Sequence, residues 1–309
     1  RGAGTSASAP ALPASSGGAF FAYAALASLW NLLAGYAGLV SVGQQAYVGL
    51  GAYLLYGLAV FAGVAPLLAV PLAGLGAGLI SVPVALLAFR LRGAYFAIGT
   101  WVVAEVFRLL AAQIPAIGGG SGASIPARVV LGIARGRAAR EQVFYWLDFG
   151  LFLLVVGGLV ALLRGRLGLA LTAIRDDEVA ARSCGVPVWR VKLVVYVLAA
   201  GATGLVGAAV FLQRLRVSPN AAFDVTDWTA LVIFMAVIGG IGTVEGPILG
   251  AALYIALRET LAGLGSLYLI LLGVVAIAVM LKAPRGLWGA LAGRATWQAV
   301  PRRRPAQPR

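Results

Sequence analysis

Residues 66–89 read PLLAVPLAGLGAGLISVPVALLAF, twenty-four positions without a charged side chain. A helix needs about 20 mainly apolar residues to cross roughly 30 Å of hydrocarbon, so this stretch is long enough to span. Lipid offers no partner to bare backbone N–H and C=O groups, which leaves helices and closed barrels as the spanning structures. A barrel strand alternates apolar and polar residues, and this run does not. Similar runs recur at 19–40, 44–62, 94–112, 143–163, 191–213, 227–243, 246–262 and 266–281. The expected fold is therefore all-α, a polytopic transmembrane helical bundle of about nine spans. Residues 1–18 read as a flexible segment, 19–290 as the transmembrane domain and 291–309 as a basic tail.

Composition agrees. Of 309 residues 61% are hydrophobic and 11% charged, against about 25% charged in a soluble domain. The mean hydropathy is +0.95. The net charge of +14 does not point to nucleic acid, because the basic residues sit in the gaps between apolar runs rather than in a patch with stacking aromatics. The single cysteine, Cys184, excludes an intrachain disulfide. The chain has no histidine, the commonest metal ligand and general base. No Cys, Asp or Glu cluster has metal-ligand spacing, so neither a metal nor another cofactor is expected. Small residues inside the runs, Gly74 and Gly78, then Gly201, Gly204 and Gly207, predict close helix packing. The turns Gly38–Gly43 and Gly239–Gly246 are candidate breaks within discontinuous helices.

Basic residues set the orientation. If the 90–93 turn, the 164–192 segment and the carboxyl tail face the cytoplasm, that side carries fifteen lysines and arginines and the other eight. Four of the eight, Arg128, Arg135, Arg137 and Arg140, lie in one external loop. Nine spans with a cytoplasmic carboxyl end put Arg1 outside, and a further helix upstream is expected to restore a cytoplasmic start. Residues 1–18 lack the pattern of a signal peptide.

The longest polar segment on the cytoplasmic side runs from Arg164 to Lys192. Leu171, Ile174 and Ala181 recur at roughly helical spacing with charges between them. A short amphipathic helix of this kind lies on a membrane, docks in a partner's groove, or simply forms a solvated loop helix. The wording of the segment adds to this. Gly165-Arg166, Ala173-Ile174-Arg175-Asp176-Asp177-Glu178, Ala180-Ala181 and Gly185 resemble the cytoplasmic coupling loop of the branched-chain amino-acid ABC-importer permeases. Other pieces agree in order. Gly35-Tyr36-Ala37-Gly38-Leu39 with Ser41 and Gly43 is similar to that family's early motif. Leu91-Arg92-Gly93-Ala94-Tyr95-Phe96-Ala97-Ile98 with Ala104-Glu105 and Arg108 resembles its central one. Gly239-Gly240-Ile241-Gly242-Thr243 with Gly246-Pro247, and Pro284-Arg285-Gly286-Leu287, resemble its carboxyl-terminal pattern. The likeness covers about residues 19–290 and is nearest the LivM-like branch.

The resemblance implies a multi-pass subunit of a bacterial or archaeal cytoplasmic membrane, with branched-chain or related hydrophobic amino acids as substrates. It implies a second, related permease as partner, two ATP-binding cassette subunits, and a periplasmic or lipid-anchored substrate-binding protein. Arg175, Asp176, Asp177 and Glu178 would orient a coupling helix on the ATPase, while Ala180, Ala181 and Gly185 permit close packing. The chain has no Gly-rich loop ending in Gly-Lys-Ser/Thr and so no such cradle for ATP phosphates. It reads as a transport subunit, not an enzyme.

Three further places are candidates for the substrate pathway. Ser41-Val42-Gly43-Gln44 has the residue types of a capping box, with Ser41 as N-cap. It also reads as a helix start at membrane depth whose positive end faces a carboxylate, with Gln44, Gln45 and Tyr47 lining the site. Gln44 stands where the family often has His, and it cannot be protonated there. The run Gly118-Gly119-Gly120-Ser121-Gly122 reads as a flexible external turn or as a set of ligand-binding backbone amides. Glu105 and Arg108 lie three apart on one helix and are expected to pair, in assembly or along the pathway. Two other readings remain: a urea permease of the same family, and an ion-coupled secondary transporter working alone. The latter usually needs an intramembrane carboxylate, for which Glu105 is the clear candidate in the sequence. An intramembrane enzyme is disfavoured by the lack of His and of any Ser or Asp constellation in the spans.

Overall fold

Proline and glycine set many of the helix limits in this chain. A computed structural model describes residues 16–126, 129, 133, 136–261, 267–283 and 286–292. Most of segment 1–18 and of tail 291–309, with Pro284, Arg285, Arg128 and Arg135, lie outside the described residues. Helix α1 is Ser16–Asn31 and runs into a π-helical turn, Leu32–Tyr36. Helices α2 (Gln44–Val60), α3 (Pro66–Ala88) and α4 (Ala94–Gln113) follow. Pro66 opens α3, where a missing N–H leaves no bond unmade. Then come α5 (Arg137–Arg164), the short α6 (Arg166–Asp176) and α7 (Glu178–Ser183), and α8 (Val188–Arg214). A single turn, α9 (Pro219–Ala222), precedes a π-helical stretch, Thr226–Ala230, that leads into α10 (Leu231–Gly239). Helices α11 (Glu245–Leu261), α12 (Leu267–Lys282) and α13 (Gly286–Ala292) close the described chain. A two-residue ladder pairs β1 (Ala123–Ser124) antiparallel with β2 (Arg216–Val217) and ties the α4–α5 connection to the end of α8.

The structure is a polytopic helical bundle, as expected. Among the described residues, six helical units are long and apolar enough to cross a membrane: Gly17–Tyr36, Pro66–Ala88, Ala94–Gln113, Ala138–Arg164, Val188–Arg214 and Pro219–Gly239. The other three expected spans fall on α2, α11 and α12, of 17, 17 and 16 residues. At 1.5 Å per residue these reach about 25 Å. The shortening of α2 and α11 has a physical origin. Both begin at glycine-containing turns, Gly38–Gly43 and Gly240–Thr243, with positive φ at Gly38, Gly240 and Gly242. Several of the residues at these turns are buried.

Helix α8 is the axis of the bundle, with α2 and α3 packed along it. Helix α1 packs on α5, α10 and α11. Lipid tails are as apolar as leucine, so helices associate in a bilayer through close contact rather than through the hydrophobic effect. The Gly51–Gly204 crossing shows how close. A Cβ on Gly51 would stand 2.7 and 2.9 Å from the carbonyl carbon and Cα of Gly204, inside ordinary contact distance. Gly74 and Gly201 make a similar close contact between α3 and α8, and Gly78 meets Gly201 at ordinary contact distance, 3.5 Å. At the other end of α8 the Arg214 guanidinium lies over the rings of Trp228 and Phe211, at 4.9 and 5.3 Å.

Candidate functional site

The polar groups gather at two helix elbows and one amphipathic segment. At the first elbow, the chain leaves the π-turn of α1, reverses at Gly38 and enters α2. Gly43 is the N-cap of α2 and offers no side-chain cap. The capping-box expectation for Ser41 and Gln44 is therefore corrected. Ser41 Oγ accepts from Gly43 N at 3.2 Å, and Val42 N donates to Thr100 Oγ1 on α4 at 3.1 Å. Gln45 N donates to Thr229 Oγ1 at 3.2 Å, and that hydroxyl donates back to Gln45 Oε1. The helix start is satisfied in part by helices 58 and 184 residues away in sequence. A local pattern cannot register such partners. Trp30 Nε1 donates to Ser41 O at 2.8 Å and pins the elbow to α1.

Gln44 Nε2 donates to Leu26 O at 2.9 Å. A carbonyl only accepts, so this bond fixes the amide orientation and leaves Oε1 as a buried acceptor without a hydrogen-bond partner. Gln44 lines a cavity of ≈ 10 Å³ with Trp30, Ser41, Tyr47, Tyr196 and Thr203. The Tyr47 and Tyr196 hydroxyls meet at 2.8 Å. This volume holds about one water and no amino acid. Of the expected pathway residues, the structure brings Ser41, Gln44 and Tyr47 to this cavity. Gln45 is turned to Thr229, and the others lie elsewhere.

Gly118 and Gly119 form tight turns after α4, with φ of 94° and 52°. Their own amides are committed within the turn, to Pro115 O at 3.0 Å and Ile114 O at 3.1 Å. Glu105 and Arg108 pair as expected. Arg108 Nε donates to both carboxylate oxygens at 2.9 and 3.0 Å, and its Nη1 reaches Asn220 Oδ1 at 2.9 Å.

The amphipathic reading of the 164–192 segment matches α6 and α7. Leu171, Ile174 and Ala181 are buried in one cluster with Tyr36, Leu163, Val191 and Val195. Leu169 and Val179 stand out at 72% and 74% exposure. Asp176 is exposed beside Arg175, Nε to Oδ1 3.6 Å. The Arg175 guanidinium also lies against the Gly242 turn. Asp177 and Glu178, expected to orient a partner, have work inside the chain. Asp177 caps α7, accepting from Val179 N at 2.8 Å and Ala180 N at 3.0 Å. Glu178 holds Lys192 of α8 at 2.7 Å and Arg182 at 2.6 Å. The Lys192 hydrogen bond above all holds its carboxyl below the ordinary value, partial burial opposing and Arg182 adding to it. Gly185, φ +81°, ends α7 in a Schellman motif: Val186 N to Ala181 O and Gly185 N to Arg182 O. Ala180 is exposed beside it.

Asp148 and Asn31 are among the buried polar residues that the sequence analysis did not single out. Asp148 on α5 is 3% exposed, and Gln213 Nε2 of α8 donates to both its oxygens at 2.9 Å. Glu105 is thus not the one carboxylate available within the spans. Asn31 is fully buried at the foot of α1. Its Nδ2 donates to Thr243 O and its Oδ1 accepts from Gly242 N, both at 2.7 Å, so it clamps the second elbow. Each is a lone polar residue within an apolar run, and that signal is visible in the sequence.

A family model described as the branched-chain amino acid transport system permease component matches residues 15–280. The high-affinity branched-chain amino acid transport system permease protein LivM of Escherichia coli is 30% identical over 279 residues, 83% of this chain and 65% of that protein. The Salmonella typhimurium LivM is 29% identical with the same coverage. The probable branched-chain amino acid transport permease protein LivM of Methanocaldococcus jannaschii is 25% identical over 173 residues, 56% of this chain and 49% of that protein. The chain therefore spans less than two thirds of the length of the curated relatives it matches. No solved structure matches it. With a family match that covers most of its length, the chain belongs to the branched-chain amino acid transport permease family.

Proposed function

We propose that the chain is a permease subunit of an ATP-driven ABC importer for branched-chain or related hydrophobic amino acids. It sits in a cytoplasmic membrane by nine spans, with α6, α7 and the two elbows on the cytoplasmic side. It works with a second permease, two ATPase subunits and an external binding protein. The observation that carries this reading is the α6–α7 segment. Its inner face is anchored by Leu171, Ile174 and Ala181, while Leu169, Val179 and Asp176 are presented outward. An apolar and charged knob on a packed base suits a partner's groove. Arg175 and Asp176 are the charges left to meet that partner, since Asp177 and Glu178 hold the segment's own shape.

The pathway runs past Ser41, Gln44 and Tyr47, and the ≈ 10 Å³ cavity is its closed form. Opening exposes the start of α2 and the free Gln44 Oε1, one group suited to a carboxylate and one to an ammonium. Gln45 steadies this elbow through Thr229. Gly118 and Gly119 lie toward the external end, where substrate would enter, and Glu105 lies near the middle of α4. ATP binding shifts the bundle between inward- and outward-facing states by favouring one of them.

The test is ATPase stimulation in the reconstituted complex with leucine, valine, phenylalanine and urea. Stimulation by leucine or valine supports the reading, and stimulation by urea alone replaces the substrate. In parallel, Asp176→Lys should lose ATPase-subunit binding in a pull-down while inserting normally, and unchanged binding counts against the docking role. A carrier driven by an ion gradient is the second reading, favoured by the buried Asp148 carboxylate in α5. Ion-dependent uptake by this chain alone would establish it.

A further inference from the structure

The outer surface of the bundle is not uniform. Helix α3 presents leucines outward at 68, 75, 79 and 87 and carries no charge. Helix α12 presents Ile270, Val274, Ile277 and Leu281, with no charge before Lys282. Both faces suit hydrocarbon. Helix α4 differs. Ile98, Trp101, Val102, Val106 and Leu109 are exposed along it, and Glu105 stands among them at helical spacing, with its side chain 44% exposed. Arg108, one turn on, is 28% exposed. At 1.5 Å per residue, Glu105 lies about 2 Å and Arg108 about 7 Å from the midpoint of α4. Asp148, the comparable mid-helix charge of α5, is instead buried and held by Gln213.

Charged groups near the bilayer centre are expensive against lipid and face protein or water instead. Pairing lowers the net charge of Glu105 and Arg108, and Asn220 fills a further donor, but the exposed carboxylate remains a strong acceptor in the middle of an apolar face. We infer that this face of α4 is covered by a second multi-span permease chain, with Glu105, Arg108 and Asn220 in the seam. The partner surface is expected to be a membrane helix offering small residues and a hydroxyl or amide donor to Glu105, the groups that let helices approach and hydrogen-bond in lipid. The charge-free faces of α3 and α12 are left to lipid. This inference rests on the permease-subunit reading and adds the face through which the two permeases meet.

The experiment uses the full complex in native membranes, with a photoreactive residue at Val102 or Val106 on α4, and at Val274 or Ile277 on α12 as controls. Irradiation is followed by purification and mass-spectrometric identification of the cross-linked chain. Products joined to the second permease are expected from the α4 positions and not from α12. A second permease that co-purifies but links only through α12, or an α4 face that captures lipid alone, overturns the inference and leaves the subunit reading intact. Products containing two copies of this chain overturn the choice of partner. A chain that purifies with neither a second permease nor an ATPase overturns the subunit reading, and the inference with it. Glu105→Gln, which keeps the hydrogen-bonding shape, should retain the cross-link, whereas Glu105→Leu should lose most of it. Full cross-linking by both variants would show that the carboxylate does not lie in the seam.

Discussion

The Gly51–Gly204 crossing permits a sharp test of how this bundle is held. Replacing Gly51 by alanine adds one methyl group to α2. The group would fall against the Gly204 carbonyl, with the carbonyl carbon at 2.7 Å and Cα at 2.9 Å, where ordinary contact begins at 3.4 Å. The obstacle is backbone within α8, so no side chain can rotate away. The helices must separate, which loosens the neighbouring contact of Gly207 with Val48 as well. Overfilling a packed site costs typically about 1–3 kcal/mol. Against this, alanine favours helix over glycine by up to about 1 kcal/mol. Gly57 supplies the control, because it lies on the same helix and a Cβ there meets nothing within 4 Å. Gly57→Ala should therefore be neutral or slightly stabilising. Gly51→Ala should unfold more easily than Gly57→Ala by about 1–3 kcal/mol. Reversible unfolding in mixed detergent micelles, followed by tryptophan fluorescence, measures the difference. Coincident unfolding curves for the two variants would refute the claim that α2 and α8 meet backbone to backbone.

Two further perturbations address the first elbow and the α6–α7 segment. Thr229→Val keeps the shape of the side chain but removes both bonds to Gln45, leaving a buried amide N–H and carbonyl oxygen unpaired; stability should fall by about 1–3 kcal/mol in the same assay, Thr229→Ser should restore most of it, and equal stability of all three chains would remove Thr229 from the cap of α2. Glu178 makes the α7 anchor pH-dependent in a definite sense. Because the folded carboxyl titrates below its ordinary value, its contribution is complete above the unfolded value and is lost as pH falls through the lower folded one. The group is two-fifths exposed, so the effect stays below about 1 kcal/mol. Hydrogen exchange of the α7 amides, corrected for intrinsic rates, should show protection steady from neutral pH down to the ordinary carboxylate range and weaker below it. Glu178→Gln should abolish that dependence, and a dependence that survives the substitution would assign the effect to another group.

Much of the fold was legible because its signal is local. The 66–89 run shows its helix in composition alone, and the observed α3 ends within one residue of it. The amphipathic spacing of Leu171, Ile174 and Ala181 likewise needs no tertiary information, and all three are buried. The elbows were not legible in this way. Ser41 and Gln44 carry the letters of a capping box, but the side chains that accept from amides at this helix start include Thr100, from Val42 N, and Thr229, from Gln45 N, which folding alone brings near. The ends of the spans were less legible for a related reason. Apolar composition continues across the 38–43 and 240–244 turns, while the helices stop at them. Glu178 was expected to meet a partner because the segment resembles a coupling loop, and nothing in its neighbours along the chain reveals Lys192 fourteen residues on.

What the structure adds is a connection between these parts. Asn31 stands at the end of α1, where the chain turns toward the Ser41–Gln45 elbow, and its amide makes two bonds to the 240–243 turn that starts α11. An Asn side chain has one acceptor and two donors, so it can hold the N–H and C=O of a turn at once. The turn it holds is the one against which Arg175 rests. The α6–α7 segment, the second elbow and the foot of α1 are thus contiguous, and Trp30, next to Asn31, bonds to Ser41 at the cavity. A displacement of α6 has few ways to be absorbed locally, since Leu171 and Ile174 are packed and Gly168 is pressed against the Leu163 backbone. It must move the turn at Gly242 or break the Arg175 contact. In a bundle whose helices meet at glycines, the small polar groups at the elbows are the parts with alternative partners, because each hydrogen bond can be exchanged for another whereas a backbone contact only opens or closes. The cavity, the second elbow and the α6–α7 segment therefore lie on one contiguous strip, hydrogen-bonded from Ser41 through Trp30 and Asn31 to the 240–243 turn and closed by the Arg175 contact.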